Sequence, residues 1–182
     1  MEGLGILRTS SLHIFNFMGT SRELTDRLLE VRREWFTRHF TEVSFRSEEL
    51  AVPEKAYDVR RGQYKAKPFL EMLESHTNRS NHALGLVDLD LFVPDLSFIF
   101  GTAQFGGNAI VALPRLRQSF YGLPDDDSLF FQRMVKEVFH ELGHVLGLHH
   151  CINYCVMRFS NSVADTDNKP DGYCPDCLWR LE

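Results

Sequence analysis

Apolar positions recur along the chain with two spacings: every second residue in some stretches, every third or fourth in others. Residues 10–18, SSLHIFNFM, mix alternation with a short apolar run and predict a strand. In the following TSRELTDRLLEVRREWFTRHF, Leu24, Leu28, Leu29, Val31 and Trp35 recur at helical spacing, and Thr20 or Ser21 is placed to cap the helix. EVSFRSEEL predicts a second strand. RGQYKAKPFLEMLESH predicts a second helix, with Pro68 in its first turns or marking a late start. Residues 83–93, ALGLVDLDLFV, are almost continuously apolar, as in a central strand covered on both faces. Two more strands are predicted, SFIFGTAQF from Ser97 to Phe105 and NAIVALPRL over residues 108–116. Gly106-Gly107 joins them as a hairpin, and Gly101 inside the first implies a bulge or a close backbone approach.

The clearest helix is PDDDSLFFQRMVKEVFHELGHVLGL, with Asp127 or Ser128 as cap and Gly147 placed to end it. Beyond Gly147 the periodicity stops. The last 35 residues hold all four cysteines among turn formers such as NSVADTDNKPDGY, and read as a subdomain held by ligands rather than by a core. The order β-α-β-α-β-β-β-α predicts an α/β fold, a mostly parallel mixed sheet with one antiparallel strand. The division expected is residues 1–147, with sheet and long helix, and residues 148–182.

Composition narrows this picture. A chain of 182 residues, 43% hydrophobic and 12% aromatic, buries a substantial core. A net charge of -5 and a pI near 5.9 argue against nucleic acid as a main partner. VRREW and DVRRGQ read as solvated charge. MEGLGILRTS lacks a basic run followed by an apolar core, and no apolar stretch approaches about 18 residues. The expectation is a cytoplasmic protein without membrane contact, a monomer by default. Thiols in that compartment stay reduced, so cysteines there serve more often as metal ligands than as disulfides.

Candidate chemistry concentrates in HELGHVLGLHHCINYC. His140 and His144 are four residues apart, which on a helix puts both imidazoles on one face within reach of one zinc ion. Glu141 is badly placed to be a third ligand there but can reach water at the metal, as a general base. Gly147 can adopt positive φ and turn the chain, returning His150 as a third ligand. His149 competes with His150, and the spacing favours His150. Three nitrogen ligands leave an open position, the catalytic arrangement. The competing reading is histidines on a solvated helix face. The remaining four histidines are isolated and read as ordinary surface or core residues.

Cys151 and Cys155 form one pair and Cys174 and Cys177 another, with an 18-residue loop between the pairs. Four thiolates so spaced suit a closed structural zinc site. A redox CPDC motif would sit at a helix start after a strand, whereas this one lies near the end of the sequence. His150 and Cys151 are adjacent, so two sites share one peptide bond.

These residues resemble the archaemetzincin family of metzincin zinc metalloproteases. The family pattern is H-E-x-x-H-x-x-G-x-x-H-C, four residues, C-x-M, seventeen residues, C-x-x-C. The likeness extends upstream through RGQYKAKPFL, LGLVDLDLFVPDLSFIFG and AIVALPRL. The chain departs from the pattern twice, with three residues between Cys151 and Cys155 and sixteen between Met157 and Cys174. The resemblance implies a twisted sheet of about five strands above an active-site helix, with an antiparallel edge strand that pairs with extended peptide. By order that strand is the one from Ser97 to Phe105. It also implies that Met157 forms an apolar floor beneath the histidines, which agrees with a lone methionine acting in packing. Phe159 stands where some metzincins carry a metal-binding tyrosine.

The expected function is zinc-dependent peptide hydrolysis with two zinc ions per chain, one catalytic and one structural, and Glu141 as base. An aminopeptidase-like preference is implied by resemblance alone, and no carboxylate for the substrate amine stands out. The alternative is a non-catalytic zinc protein using only the four-cysteine site. Intact Glu141 argues against it.

Overall fold

The computed structural model describes residues 10–17, 20–78 and 80–182. Met18, the last residue of the first predicted strand, and the segment read for a secretion signal before residue 10 lie outside that range. In chain order the elements are β1 (Ser11–Phe17), α1 (Arg22–Val31), α2 (Arg33–His39), β2 (Val43–Leu50), β3 (Tyr57–Asp58), β4 (Gln63–Lys65), α3 (Lys67–Ser75), β5 (Asn81–Val87), β6 (Leu91–Phe92), β7 (Gly101–Ala103), β8 (Ala109–Ala112), α4 (Asp127–Val145), α5 (Val163–Asn168) and α6 (Pro175–Leu181). Five strands form the main sheet in the order β2-β1-β5-β8-β7, parallel except for β7 against β8. The predicted mixed α/β architecture and its antiparallel edge strand are therefore present.

Alternation along the strands divides two cores. Leu12, Ile14, Leu84, Leu86 and Val111 pack with α4, α1 and α2 on one face. Phe15, Phe17, Val87 and Ile110 pack with Phe69 and Leu73 of α3 on the other. Coverage of both faces accounts for the unbroken apolar runs of β5 and β8.

Several predicted elements are shorter or divided. The first predicted helix breaks at Arg32, where φ is -127°. The break turns Phe36 into the core and leaves Val31 in solvent. Ser21, not Thr20, is its cap, accepting from the Leu24 N–H. The second predicted helix starts late, at Lys67, because Gln63–Lys65 is a strand. The apolar run over 83–93 splits at two aspartates. Arg117 holds Asp88 and Arg115 holds Asp90, each through two hydrogen bonds, and the chain turns so that Leu91–Phe92 pairs with β4. That makes a second, three-stranded sheet, β3-β4-β6, which the sequence pattern did not reveal. The predicted strand from Ser97 to Phe105 is regular only over Gly101–Ala103, since Ile99 bridges to Leu91 instead. The strand predicted over residues 108–116 is likewise regular only over Ala109–Ala112, and Pro114–Leu116 forms a 3-10 turn.

The long helix α4 is capped by Asp126, one residue before the predicted Asp127 or Ser128, through a 2.9 Å bond from the Leu129 N–H. The segment after Gly147 shares the main core through Cys155, Val156, Met157 and Leu181 rather than depending on ligands alone. It contains α5, closed by a Ser162–Asp165 capping box inside the stretch read as turns. Side chains of α4 grip it: Arg133 pairs with both oxygens of Asp167, and Lys136 donates to the carbonyls of Thr166 and Asp167. Among the described residues no helix is long and apolar enough to cross a membrane.

Candidate metal centres

The end of α4 is a Schellman turn. Gly147 takes φ 92°, its N–H bonds to the His144 carbonyl at 2.9 Å, and the Leu148 N–H bonds to the Gly143 carbonyl at 2.8 Å. A side chain at residue 147 would be strained there. The same turn aims the Leu148 carbonyl at His144, whose Nδ1 lies 2.7 Å away. His140 Nδ1 lies 2.9 Å from the Val156 carbonyl. A carbonyl only accepts, so each Nδ1 carries the proton and each Nε2 presents a lone pair. These two Nε2 atoms are 3.2 Å apart.

His150 completes the group. One nitrogen from each of His140, His144 and His150 lies within 4.8 Å of the others, and His149 is not among them. His149 packs instead on Phe105, with ring centroids 4.8 Å apart. Burial and the nearby Lys169 cation hold the His140 imidazole well below its usual pKa, so it is neutral, the form that ligates. Burial lowers His144 and His150 in the same direction.

The donor set fits a small tetrahedral cation. Zn–N bonds of about 2.0–2.1 Å put ligand nitrogens about 3.3 Å apart, close to the spacing of His140 and His144. Two lone pairs facing each other in a buried site repel unless something positive sits between them.

Glu141 lies beside this focus, 4% exposed, and its Oε2 has no hydrogen-bond partner among the described residues. Burial pushes its carboxyl well above the ordinary range, Glu137 adds to the effect and Lys169 opposes it. A cation at the imidazoles would act with Lys169 and favour the carboxylate. The room for Glu141 comes from β7. A Cβ on Gly101 would stand 2.6 Å from both Cγ and Oε1 of Glu141. This is the close approach that Gly101 implied.

Met157 is fully buried under α4, and a Cβ on Gly143 would stand 2.3 Å from its sulfur. Phe159, 47% exposed, packs its ring 5.1 Å from that of His150. A cleft of about 560 Å³ runs over the histidines between β7 and residues 159–161.

The four cysteine sulfurs lie within 4.8 Å of one another, and none is in a disulfide. The Cys151 and Cys174 sulfurs are 3.7 Å apart, near the 3.8 Å or so that tetrahedral Zn–S bonds of about 2.3 Å require. The shortened spacings do not prevent convergence. Burial works against ionisation of Cys174, but bonds from the Cys177 N–H and the Asn153 amide bring its thiol to about 7. Cys174 does stand at a helix start, as the N-cap of α6, yet its sulfur faces the other three rather than solvent.

One tripeptide serves both clusters. Cys155 contributes a sulfur, the Val156 carbonyl orients His140, and the Met157 carbonyl accepts from the Cys151 N–H at 3.0 Å. Sequence reasoning also missed two residues. Glu137 lines the cleft, and Lys169 lies 3.0 Å from its Oε1. Helical spacing to Glu141 was a signal for Glu137, but Lys169 had none.

Residues 47–182 match the sequence profile of Peptidase family M54. The archaemetzincin of Pyrococcus furiosus is 50% identical over 132 residues, which cover 70% of this chain and 68% of that protein. The crystal structure of archaemetzincin from Methanopyrus kandleri superposes with a TM-score of 0.81 at 34% identity, covering 98% of this chain and 96% of that one. That of a zinc-dependent peptidase from Methanocorpusculum labreanum gives 0.78 at 29% identity, covering 94% and 100%.

Proposed function

Because the chain belongs to Peptidase family M54 and is a metallopeptidase, we propose that two zinc ions serve it. His140, His144 and His150 hold a catalytic ion, and Cys151, Cys155, Cys174 and Cys177 hold a structural one. The observation that carries this reading is the shared focus of the His140 and His144 Nε2 atoms next to the unpartnered Oε2 of Glu141. Zinc, when bound, supplies Lewis acidity toward water and toward the peptide carbonyl.

Glu141 takes a proton from the attacking water and returns it to the leaving amine nitrogen. The peptide lies along the open side of β7. Phe100, Thr102 and Gln104 direct their main-chain groups at β8 and its turn, so Gly101 and Ala103 present theirs outward by strand alternation. Substrate pairing at those two residues would run the peptide along the cleft that β7 shares with the three histidines.

Glu141→Gln is expected to lower kcat by roughly 10²–10⁴-fold, the range for removing a general base. Zinc content, read by elemental analysis, stays at two ions per chain. Turnover at the parental rate would reject Glu141 as base, and a single ion per chain would reject the two-site reading.

A further inference from the structure

Among the described residues lining the cleft, the carboxylates are Glu137 and Glu141, and none is a lysine or arginine. Glu137 is not available as an unpaired charge. Its Oε1 accepts the Thr166 hydroxyl at 2.8 Å and lies 3.0 Å from Lys169 Nζ, with the two charged side chains 4% and 2% exposed. Lys169 also reaches the Arg158 carbonyl, on the segment that carries Phe159 into the cleft. The cleft floor is thus a buried, neutral pair.

The rim is apolar. Leu96, Phe105 and Phe159 line it with 39%, 56% and 47% of their surface in solvent. Phe105 and Phe159 flank the histidines from opposite sides, one against His144 and His149, the other against His150.

We propose that Lys169 sets substrate choice by neutralising Glu137. With Glu141 engaged as the base, the cleft then has no spare carboxylate to anchor a free amino terminus and accepts internal peptide bonds flanked by large apolar side chains. The inference rests on the zinc-peptidase reading. An ammonium entering the cleft loses its hydration, meets a carboxylate already paired, and comes near a second cation. A large apolar side chain loses nothing on entry and covers exposed rings. Lys169 touches no substrate in this scheme and acts only through Glu137.

The test compares two hexapeptides of one sequence with central phenylalanines, one N-acetylated and one free. Each is assayed for kcat/KM with the zinc-loaded protein, for products by mass, and for binding to zinc-loaded Glu141→Gln. Acetylation should change both ratios by no more than about threefold, and the products should be internal fragments. Loss of about 100-fold on acetylation, the scale of a lost buried charge contact, or stepwise release of the first residue would overturn the proposal. If neither peptide is cleaved, the hydrolytic reading fails, while the binding ratio still decides this one. Lys169→Met should raise the relative affinity for a peptide with lysine replacing a central phenylalanine by about tenfold. Lys169→Met with Glu137→Gln should restore the parental preference. A double variant that keeps the gain would show that Glu137 is not the group involved.

Discussion

The histidine cluster and the cysteine cluster meet at the His150–Cys151 bond but are supported in different ways. On one side, two histidines project from a 19-residue helix with a cap, a Schellman end and seven buried apolar residues in the main core. Their proton-bearing nitrogens are held by main-chain carbonyls. On the other, the sulfurs come from a tight loop and from α6, a helix of seven residues, too short to persist by itself. The first site is organised by the core, so a metal bound there would meet an arrangement already made. The second also reaches the core, through Cys155, Cys174, Cys177 and Leu181, but its sulfurs sit on shorter elements and lean more on whatever they bind in common. A catalytic centre can release its ion without losing its shape only if its support lies elsewhere.

The largest test of that contrast is treatment with a strong chelator. Structural zinc contributes on the order of 10 kcal/mol to small folds that depend on it. Hydrogen exchange should show protection lost over residues 151–157 and in α6, and kept in α4, β5 and, through Arg133–Asp167, α5. Equal loss in α4 would remove the distinction.

Lys169→Met comes next. It leaves Glu137 buried and charged, and should cost about 3–5 kcal/mol in denaturant unfolding. Adding Glu137→Gln should recover most of that. If the double variant is no more stable than the single one, Lys169 stabilises by packing rather than by charge.

Gly143→Ala probes the contact between helix and Met157. Its Cβ would press on the Met157 sulfur and on Tyr173, whose hydroxyl donates to the Phe139 carbonyl at 2.7 Å. Overpacking of this kind costs about 1–3 kcal/mol. A melting temperature equal to the parent's would mean that the loop yields freely.

The smallest effect is expected from Cys151→Ser. Because Met157 accepts from the Cys151 N–H and Val156 from His140, loosening the sulfur site should weaken zinc at the histidines by about tenfold. Competition titration with a chromophoric chelator measures it. Unchanged affinity would show two clusters that are neighbours and nothing more.

The contrast also separates what was legible in the sequence from what was not. Ligand spacing in HELGHVLGLHH and in the cysteine pairs is set by local geometry, so the convergence of those side chains could be read from the letters. The same holds for Gly147, whose role is conformational. The cap of α4 was misplaced by one residue because three consecutive aspartates offer the same chemistry. The strands of two and three residues in the second sheet are too short to show a period. The split of the 83–93 run depends on Arg115 and Arg117, more than twenty residues away, and so belongs to tertiary packing. Lys169 was invisible for the same reason. Its partner is fixed by how α5 docks on α4, which the turn-forming letters around it do not encode.

The open side of β7 has a consequence for solubility. An exposed sheet edge is a template on which copies of a chain stack and aggregate. If extended peptide pairs there as proposed, covering that edge would exclude the substrate. Here the strand runs for three residues only, ended on one side by the Ile99–Leu91 bridge and on the other by the Gly106 turn. Two residues offer outward groups, enough for the peptide pairing proposed above. They are too few to start a ladder between molecules, so the shortness of the strand guards an edge that a longer one would leave open to stacking.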